Sequence, residues 1–114
     1  DSEKDCDWLV KKIINLRIFS DKNNSMNLSV TDIQGQIMVV SQFTLHASTR
    51  KGNRPSYLRA AKSDKAFLIY SYFIEELKKT SGLHIVSGVF GSDMKVKLIN
   101  DGPVTILIDS KNRE

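Results

Sequence analysis

The sequence predicts a single α/β domain: a mixed, largely antiparallel sheet with two long helices packed on it. Three features predict this. Apolar residues recur at helical spacing over 3–17 and again over 64–79. The apolar run "IMVV" at 37–40 lies between polar residues and is too short for a helix. The segments "DMKVKLIN" and "VTILID" alternate with the period of a strand on either side of a tight "NDG" turn. With 114 residues, 40% of them hydrophobic, the chain suits one domain, 1–114, with a modest core.

Each element has a local reason. Ser2 is placed to cap the first helix, and Glu3, Asp5 and Asp7 lie at the positive end of its dipole. Leu9, Ile13 and Leu16 make its apolar stripe, with Cys6 and Val10 beside them. "SDKNNSMN" at 20–27 is a polar loop. Ser29 and Asp32 have the spacing of a capping box for a short turn that Gly35 ends. "QIMVVSQ" at 36–42 is a strand whose unbroken apolar run predicts a central position, covered on both faces. "FTLHAS" leads into a basic loop. The second helix spans 64–79, with Ser63 as its cap, Lys78 and Lys79 at its end and Gly82 just beyond. Ala66, Tyr70, Phe73 and Leu77 form its buried stripe, flanked by Phe67 and Ile74. "LHIVSGVF" is a strand broken at Gly88. Met94, Val96 and Leu98 alternate with Lys95 and Lys97, and the following "VTILID" pairs antiparallel with that segment. The tail "SKNRE" frays.

Composition narrows the function classes. No apolar run is long enough to span a bilayer, and no signal peptide is visible. One cysteine, Cys6, excludes an intrachain disulfide, and its place among apolar helix positions favours packing over catalysis. His46 and His84 lie far apart without metal-ligand spacing, so no metal or other cofactor is expected. Neither of the glycine-rich phosphate loops occurs, and no Ser-His-Asp set is favoured by spacing. If residues 44–46 stay extended, Thr44 and His46 project to the same face as a conceivable pair. The net charge is +4. The stretch "TRKGNRPSYLRAAK" at 49–62 carries Arg50, Lys51, Arg54, Arg59 and Lys62 with no acid. It suits either a solvated loop or a phosphate-contacting patch with Tyr57 available to stack.

Two segments stand out. "SQFTL" at 41–45 follows the predicted central strand, where α/β folds often bind ligands. Ser41, Gln42, Phe43 and Thr44 offer hydroxyls, an amide, an aromatic wall and backbone N–H groups of the kind an oxyanion needs. "NDGPVT" at 100–105 is a hairpin turn with Pro103 at the start of a strand. Proline lacks an N–H and weakens pairing there.

These motifs, together with "TRKGNRPS", "GVFGSDMKVKLINDGPVTILID", "DWLVKKIINLRIF" and "MNLSV", resemble the D-aminoacyl-tRNA deacylase family over nearly the whole chain. The resemblance implies a sheet curled like a barrel, with the family's N-terminal strands apparently missing before the first helix. It implies a cytoplasmic homodimer, with no membrane association, that hydrolyses the ester of D-aminoacyl-tRNA. It also implies a cis Gly102–Pro103 peptide, a state found in only about 5–6% of X-Pro bonds. That step would reach the partner subunit's site and reject L side chains, with Val104 and Thr105 beside it. Backbone N–H groups near Phe43 and Thr44 would hold the oxyanion. Thr44 would position the substrate while water attacks, aided by the ribose hydroxyl. Gln42 would hold adenosine or the loop. Phe90 and Met94 either line the pocket or pack the core. Arg50, Lys51 and Arg54 would contact tRNA. The family usually has a small or apolar residue at the position of His46, which argues against His46 as a base. Two alternatives stay open on sequence alone: an editing module for achiral or L-aminoacyl-tRNA, and a non-catalytic RNA-binding domain.

Overall fold

Cap chemistry sets the helix ends in the computed structural model, which describes residues 1–114. Helix α1 spans Glu3–Asn15, and the Asp5 carboxylate accepts the Ser2 N–H at 2.9 Å. The helix ends at Asn15, two residues before the predicted end at 17, and the chain is extended at Leu16. Helix α2 spans Ser63–Ser81. Its N-cap is Lys62 rather than Ser63: Lys62 is the extended residue, and Ser63 is already helical. Gly82 closes α2 at φ 66°, donating its N–H to Lys78 O at 3.1 Å. That left-handed position is the one glycine adopts without a steric cost.

The helices pack on each other and on a two-stranded parallel sheet. Tyr72 donates its hydroxyl to Asp7 Oδ1 at 2.8 Å across the helix pair. The core is Val10, Ile14, Ile74, Leu77 and Ile85, with Ile37, Val39, Tyr70, Phe73 and Leu83 packed against it. The buried face of α1 is thus Cys6, Val10 and Ile14, while Leu9, Ile13 and Leu16 are only partly covered and face a second, apolar groove. Both sets lie on one broad apolar surface, and α2 meets its Val10 side.

Strands β1 (Phe19–Ser20) and β2 (Met26–Leu28) pair antiparallel inside the predicted polar loop. Asp21 turns the chain between them by accepting the N–H groups of Asn23 and Ser25. Ser29 and Asp32 form the predicted reciprocal cap, with bonds of 2.9 and 3.1 Å. Strand β3 (Gln36–Val39) pairs parallel with β4 (His84–Ser87), Gln36 opposite His84. Helix α2 lies in the connection, as a parallel pair requires.

Three fold expectations are corrected. Strand β3 is covered on one face only: Ile37 and Val39 turn to the core, while Met38 is 63% exposed. The two sheets have two strands each, one antiparallel and one parallel, so no closed or barrel-like sheet forms. The segments on either side of "NDG" form no hairpin, since residues 93–108 contain no strand and make no backbone–backbone hydrogen bond. Their alternation specifies an extended chain but supplies no partner strand. This segment, the arm, leaves Leu98, Ile99 and Leu107 exposed. The fold is thus one small α/β domain with a thin core, nine of 114 residues being buried. No helix is long and apolar enough to cross a membrane.

Candidate active site

Beyond β3 the chain stays extended to Gln42 and then tightens into a single 3-10 turn, Phe43–His46. The Thr44–His46 alignment expected of an extended segment is therefore absent, and no hydrogen bond joins the two side chains. Gln42 instead donates its Nε2 to Thr44 Oγ1 at 2.7 Å. With a lone pair so engaged, the Thr44 hydroxyl retains its own proton to donate. The N–H groups of Phe43 and Thr44, at the start of the turn, take no backbone or side-chain acceptor. They are free donors next to that hydroxyl.

Ser41, Gln42 and Phe43 line a cleft of about 910 Å³. Phe90, Met94 and, from α2, Tyr70 and Phe73 also line it. Phe90 meets Phe67 edge-on and Tyr70 at a tilt, both with ring centroids 5.4 Å apart. The apolar walls and few polar groups suit a small organic moiety. Gly88 lets Met94 pack close: a Cβ there would lie 2.6 Å from Met94 Sδ and displace that side chain. Arg59 and Lys65 add positive charge to the lining.

The basic loop is pinned at its base by the Ser48–Ser56 pair, with bonds of 2.8 and 2.9 Å. Arg50, Lys51 and Arg54 are exposed on it, outside the cleft lining, and none makes a salt bridge. Tyr57, expected to be available for stacking, meets Phe43 edge-on at 5.0 Å and so braces the turn. Cys6 is buried, and burial together with Asp7, Asp5 and Glu3 raises its thiol pKa, which suits packing. No three His, Cys, Asp or Glu side chains gather as a metal site.

The structure brings Ser41, Gln42, Phe43, Phe90 and Met94 to one cleft, which His46 also lines; Thr44 is outside the lining and is tied to it through Gln42. It does not bring Gly102, Pro103 or Thr105 there, and Val104 lines the apolar groove beside α1 instead. The Gly102–Pro103 peptide is cis, with Gly102 at φ 128°. Arg59, Lys65 and Tyr70 are lining residues that sequence reasoning did not single out. Arg59 lay within the basic stretch, whereas Tyr70 was indistinguishable from its core neighbours on α2.

Fold and cleft define a small α/β domain with free backbone donors and a hydroxyl beside an apolar-walled cleft. The model of the family described as D-Tyr-tRNA(Tyr) deacylase matches residues 1–109. A D-aminoacyl-tRNA deacylase of Flavobacterium johnsoniae is 61% identical over the whole chain, which spans 76% of that relative's length. The protein of the same description from Phocaeicola vulgatus is 58% identical over the same shares. Among solved structures, the c-Myc DNA Unwinding Element Binding Protein superposes with a TM-score of 0.84 at 43% identity, covering 93% of this chain and 72% of that one. The chain belongs to the D-aminoacyl-tRNA deacylase family, whose named activity is hydrolysis of an aminoacyl ester.

Proposed function

We propose that this chain hydrolyses the ester of D-aminoacyl-tRNA, releasing D-amino acid and free tRNA, in the cytoplasm where tRNA is charged. The observation that carries the reading is that Gln42 and Phe43 line the cleft while Gln42 holds the Thr44 hydroxyl beside the free N–H groups of Phe43 and Thr44. An ester carbonyl placed there meets preorganised donors as its oxygen becomes an oxyanion. The Thr44 hydroxyl, held by Gln42 and without a base, orients the substrate, and water is the nucleophile. An aminoacyl ester is already activated, so modest catalysis suffices. The apolar walls at Phe90 and Met94 receive the adenosine or the acyl group.

The enzyme acts as a homodimer, in which the arm of one subunit carries Gly102 and Pro103, with Val104 and Thr105, to the cleft of the other. Two observations support this. The corner is absent from its own subunit's cleft, and the arm exposes a row of apolar side chains that its own chain does not cover. At the corner, backbone carbonyls take the α-amino group of the substrate. The same wall excludes an L side chain while a D side chain points away, so one site accepts many D residues. Arg50, Lys51 and Arg54, exposed and unpaired, contact the tRNA phosphates.

Incubation with D-tyrosyl-tRNA and L-tyrosyl-tRNA tests the reading. Release of D-tyrosine alone is expected, and equal release of both overturns the chirality assignment.

A further inference from the structure

An oxyanion donor works only when its direction is fixed before the charge develops. The two free N–H groups proposed for that task belong to Phe43–His46, a single 3-10 turn. Such a turn has poorer hydrogen-bond geometry than an α-helix and draws firmness from its surroundings. Within it, Ala47 N–H donates to Thr44 O at 3.0 Å, and Gln42 Nε2 donates to Thr44 Oγ1 at 2.7 Å. Both bonds end on Thr44. The ring of Phe43 is held from outside the turn.

The basic loop supplies that hold. Ser48 and Ser56 exchange two backbone bonds, of 2.8 and 2.9 Å, which close the loop just beyond the turn. Pro55 precedes the pair and fixes one φ of the returning chain. Tyr57 follows it directly, and its carbonyl accepts the Ala60 N–H at 3.0 Å. The Tyr57 backbone is therefore tied on both sides. Its ring meets that of Phe43 with centroids 5.0 Å apart and planes at 72°. This edge-to-face arrangement is one that the ring quadrupoles favour. The hydroxyls of Tyr70 and Tyr72 are hydrogen-bonded, whereas that of Tyr57 has no partner in the chain. The ring, and not the hydroxyl, is what Tyr57 brings to the turn. Rotating the Phe43 backbone would swing its ring off that of Tyr57, so the contact resists rotation of the Phe43 N–H.

We propose that Tyr57 is a positioning residue: edge-on against Phe43, it sets the orientation of the Phe43–His46 turn and hence of the two oxyanion donors. The loop that carries Arg50, Lys51 and Arg54 then has two separable duties, contact with phosphates along its length and support of the site from its base. The inference rests on the deacylase reading above and adds a residue that serves the site without touching substrate.

The test uses the full chain with Tyr57→Leu, Tyr57→Phe, Phe43→Leu and the double variant that joins the two leucine substitutions. Hydrolysis is followed on D-tyrosyl-tRNA and on D-tyrosyl-adenosine, which presents the ester without the tRNA body. Tyr57→Leu is expected to lower kcat about tenfold on both substrates with KM unchanged, as the loss of a transition-state interaction requires. Tyr57→Phe, which keeps the ring, restores kcat. Phe43→Leu breaks the same contact from the other side, leaves the N–H in place and is expected to match Tyr57→Leu. It keeps the test decisive should one variant fold poorly. The double variant is expected to lose no more than either single one, because one contact can be lost only once. The salt slope of tRNA binding stays that of the parent in Tyr57→Leu. An active parent whose Tyr57→Leu variant keeps its kcat overturns the proposal alone. So does a defect confined to tRNA affinity, which assigns the ring to base stacking, and so do losses that multiply in the double variant. A parent that hydrolyses neither substrate overturns the deacylase reading and takes the proposal with it.

Discussion

The helix pair with β3 and β4 and the arm at 93–108 are opposite solutions to the same chain's needs. In the first, backbone groups are paired within helices and strands, and Leu77 and Val10 are fully buried. In the second, backbone groups go unpaired within the chain, and Ile99 and Leu107 are at least 90% exposed. The first region leads into the groups proposed for hydrolysis, and the second carries the corner proposed for selectivity. The helix–sheet core positions a cleft, while residues 93–108 are extended and place the corner outside it.

The comparison is broken most severely in the core. Leu77→Ala is expected to destabilise the chain by about 2–5 kcal/mol, whereas Leu107→Ala changes stability by less than about 0.5 kcal/mol in the monomer. Urea midpoints of the two variants check this, and equal losses would mean that the arm is part of the cooperative core. Gly88→Ala probes the seam between the regions. Its Cβ meets Met94 Sδ at 2.6 Å, so the flexible Met94 side chain must move, at a cost of about 0.5–1.5 kcal/mol. Met94→Ala in the same background should recover most of that loss. A full-strength defect in the double variant would place the strain elsewhere.

Smaller effects separate the loop from the cleft. Arg50→Ala and Arg54→Ala should each flatten the slope of log K against log salt for tRNA binding by about 0.7–0.9. Hydrolysis of a minimal D-aminoacyl ester should be unchanged. An unaltered slope removes that residue from the phosphate contacts.

The smallest effect is a pH dependence where Lys111 Nζ lies 3.0 Å from Asp5 Oδ2 and Arg113 covers the Trp8 ring at 4.3 Å. The Lys111 ammonium and then the Ser2 N–H hold the Asp5 carboxyl well below its ordinary value of 3.8, with Ser110 adding to them. A depressed carboxylate adds stability that is complete above the unfolded value and is lost as pH falls through that value toward the folded one. Trp8 accessibility should therefore be flat above about pH 5 and rise as pH drops below about 4. Asp5→Asn, already lacking the charge, should show no such rise. Glu3 and Asp7 lie nearby on the same helix, so a rise that persists in Asp5→Asn would assign the effect to them.

Much of the first region was legible in the sequence, and the reasons are local. Ser29 and Asp32 announce their turn by spacing, and Gly82 announces a helix end because φ 66° suits glycine. Which stripe of α1 is buried was not legible. Leu9, Ile13 and Leu16 are as apolar as Cys6, Val10 and Ile14, and only the position of α2 ranks them. The arm was misjudged for a related reason. Met94, Val96 and Leu98 alternate as strand residues do, but alternation describes a face and leaves the partner unnamed. At the cleft, the polar run "SQFTL" after an apolar strand supplies Ser41, Gln42 and Phe43 to the lining. The Gln42–Thr44 bond was not foreseeable, since the 3-10 turn that permits it has no strong sequence signal. Lys111 and Arg113 looked like part of a frayed tail because their anchors, Asp5 and Trp8, lie more than a hundred residues away.

The central claim is that hydrolysis and selectivity reside in different subunits of one site, and subunit mixing tests it most directly. Thr44→Ala alone should lose about 10–100-fold in D-tyrosyl-tRNA hydrolysis, the cost of one hydrogen bond to a developing charge. Gly102→Ala alone should fail because φ 128° is closed to alanine. Mixed and re-equilibrated, half of the dimers pair the two variants, and each of these has one intact site. D-selective activity should then return to about a quarter of the unmutated level. Activity no greater than the average of the two parents would contradict the shared site and confine both functions to a single subunit.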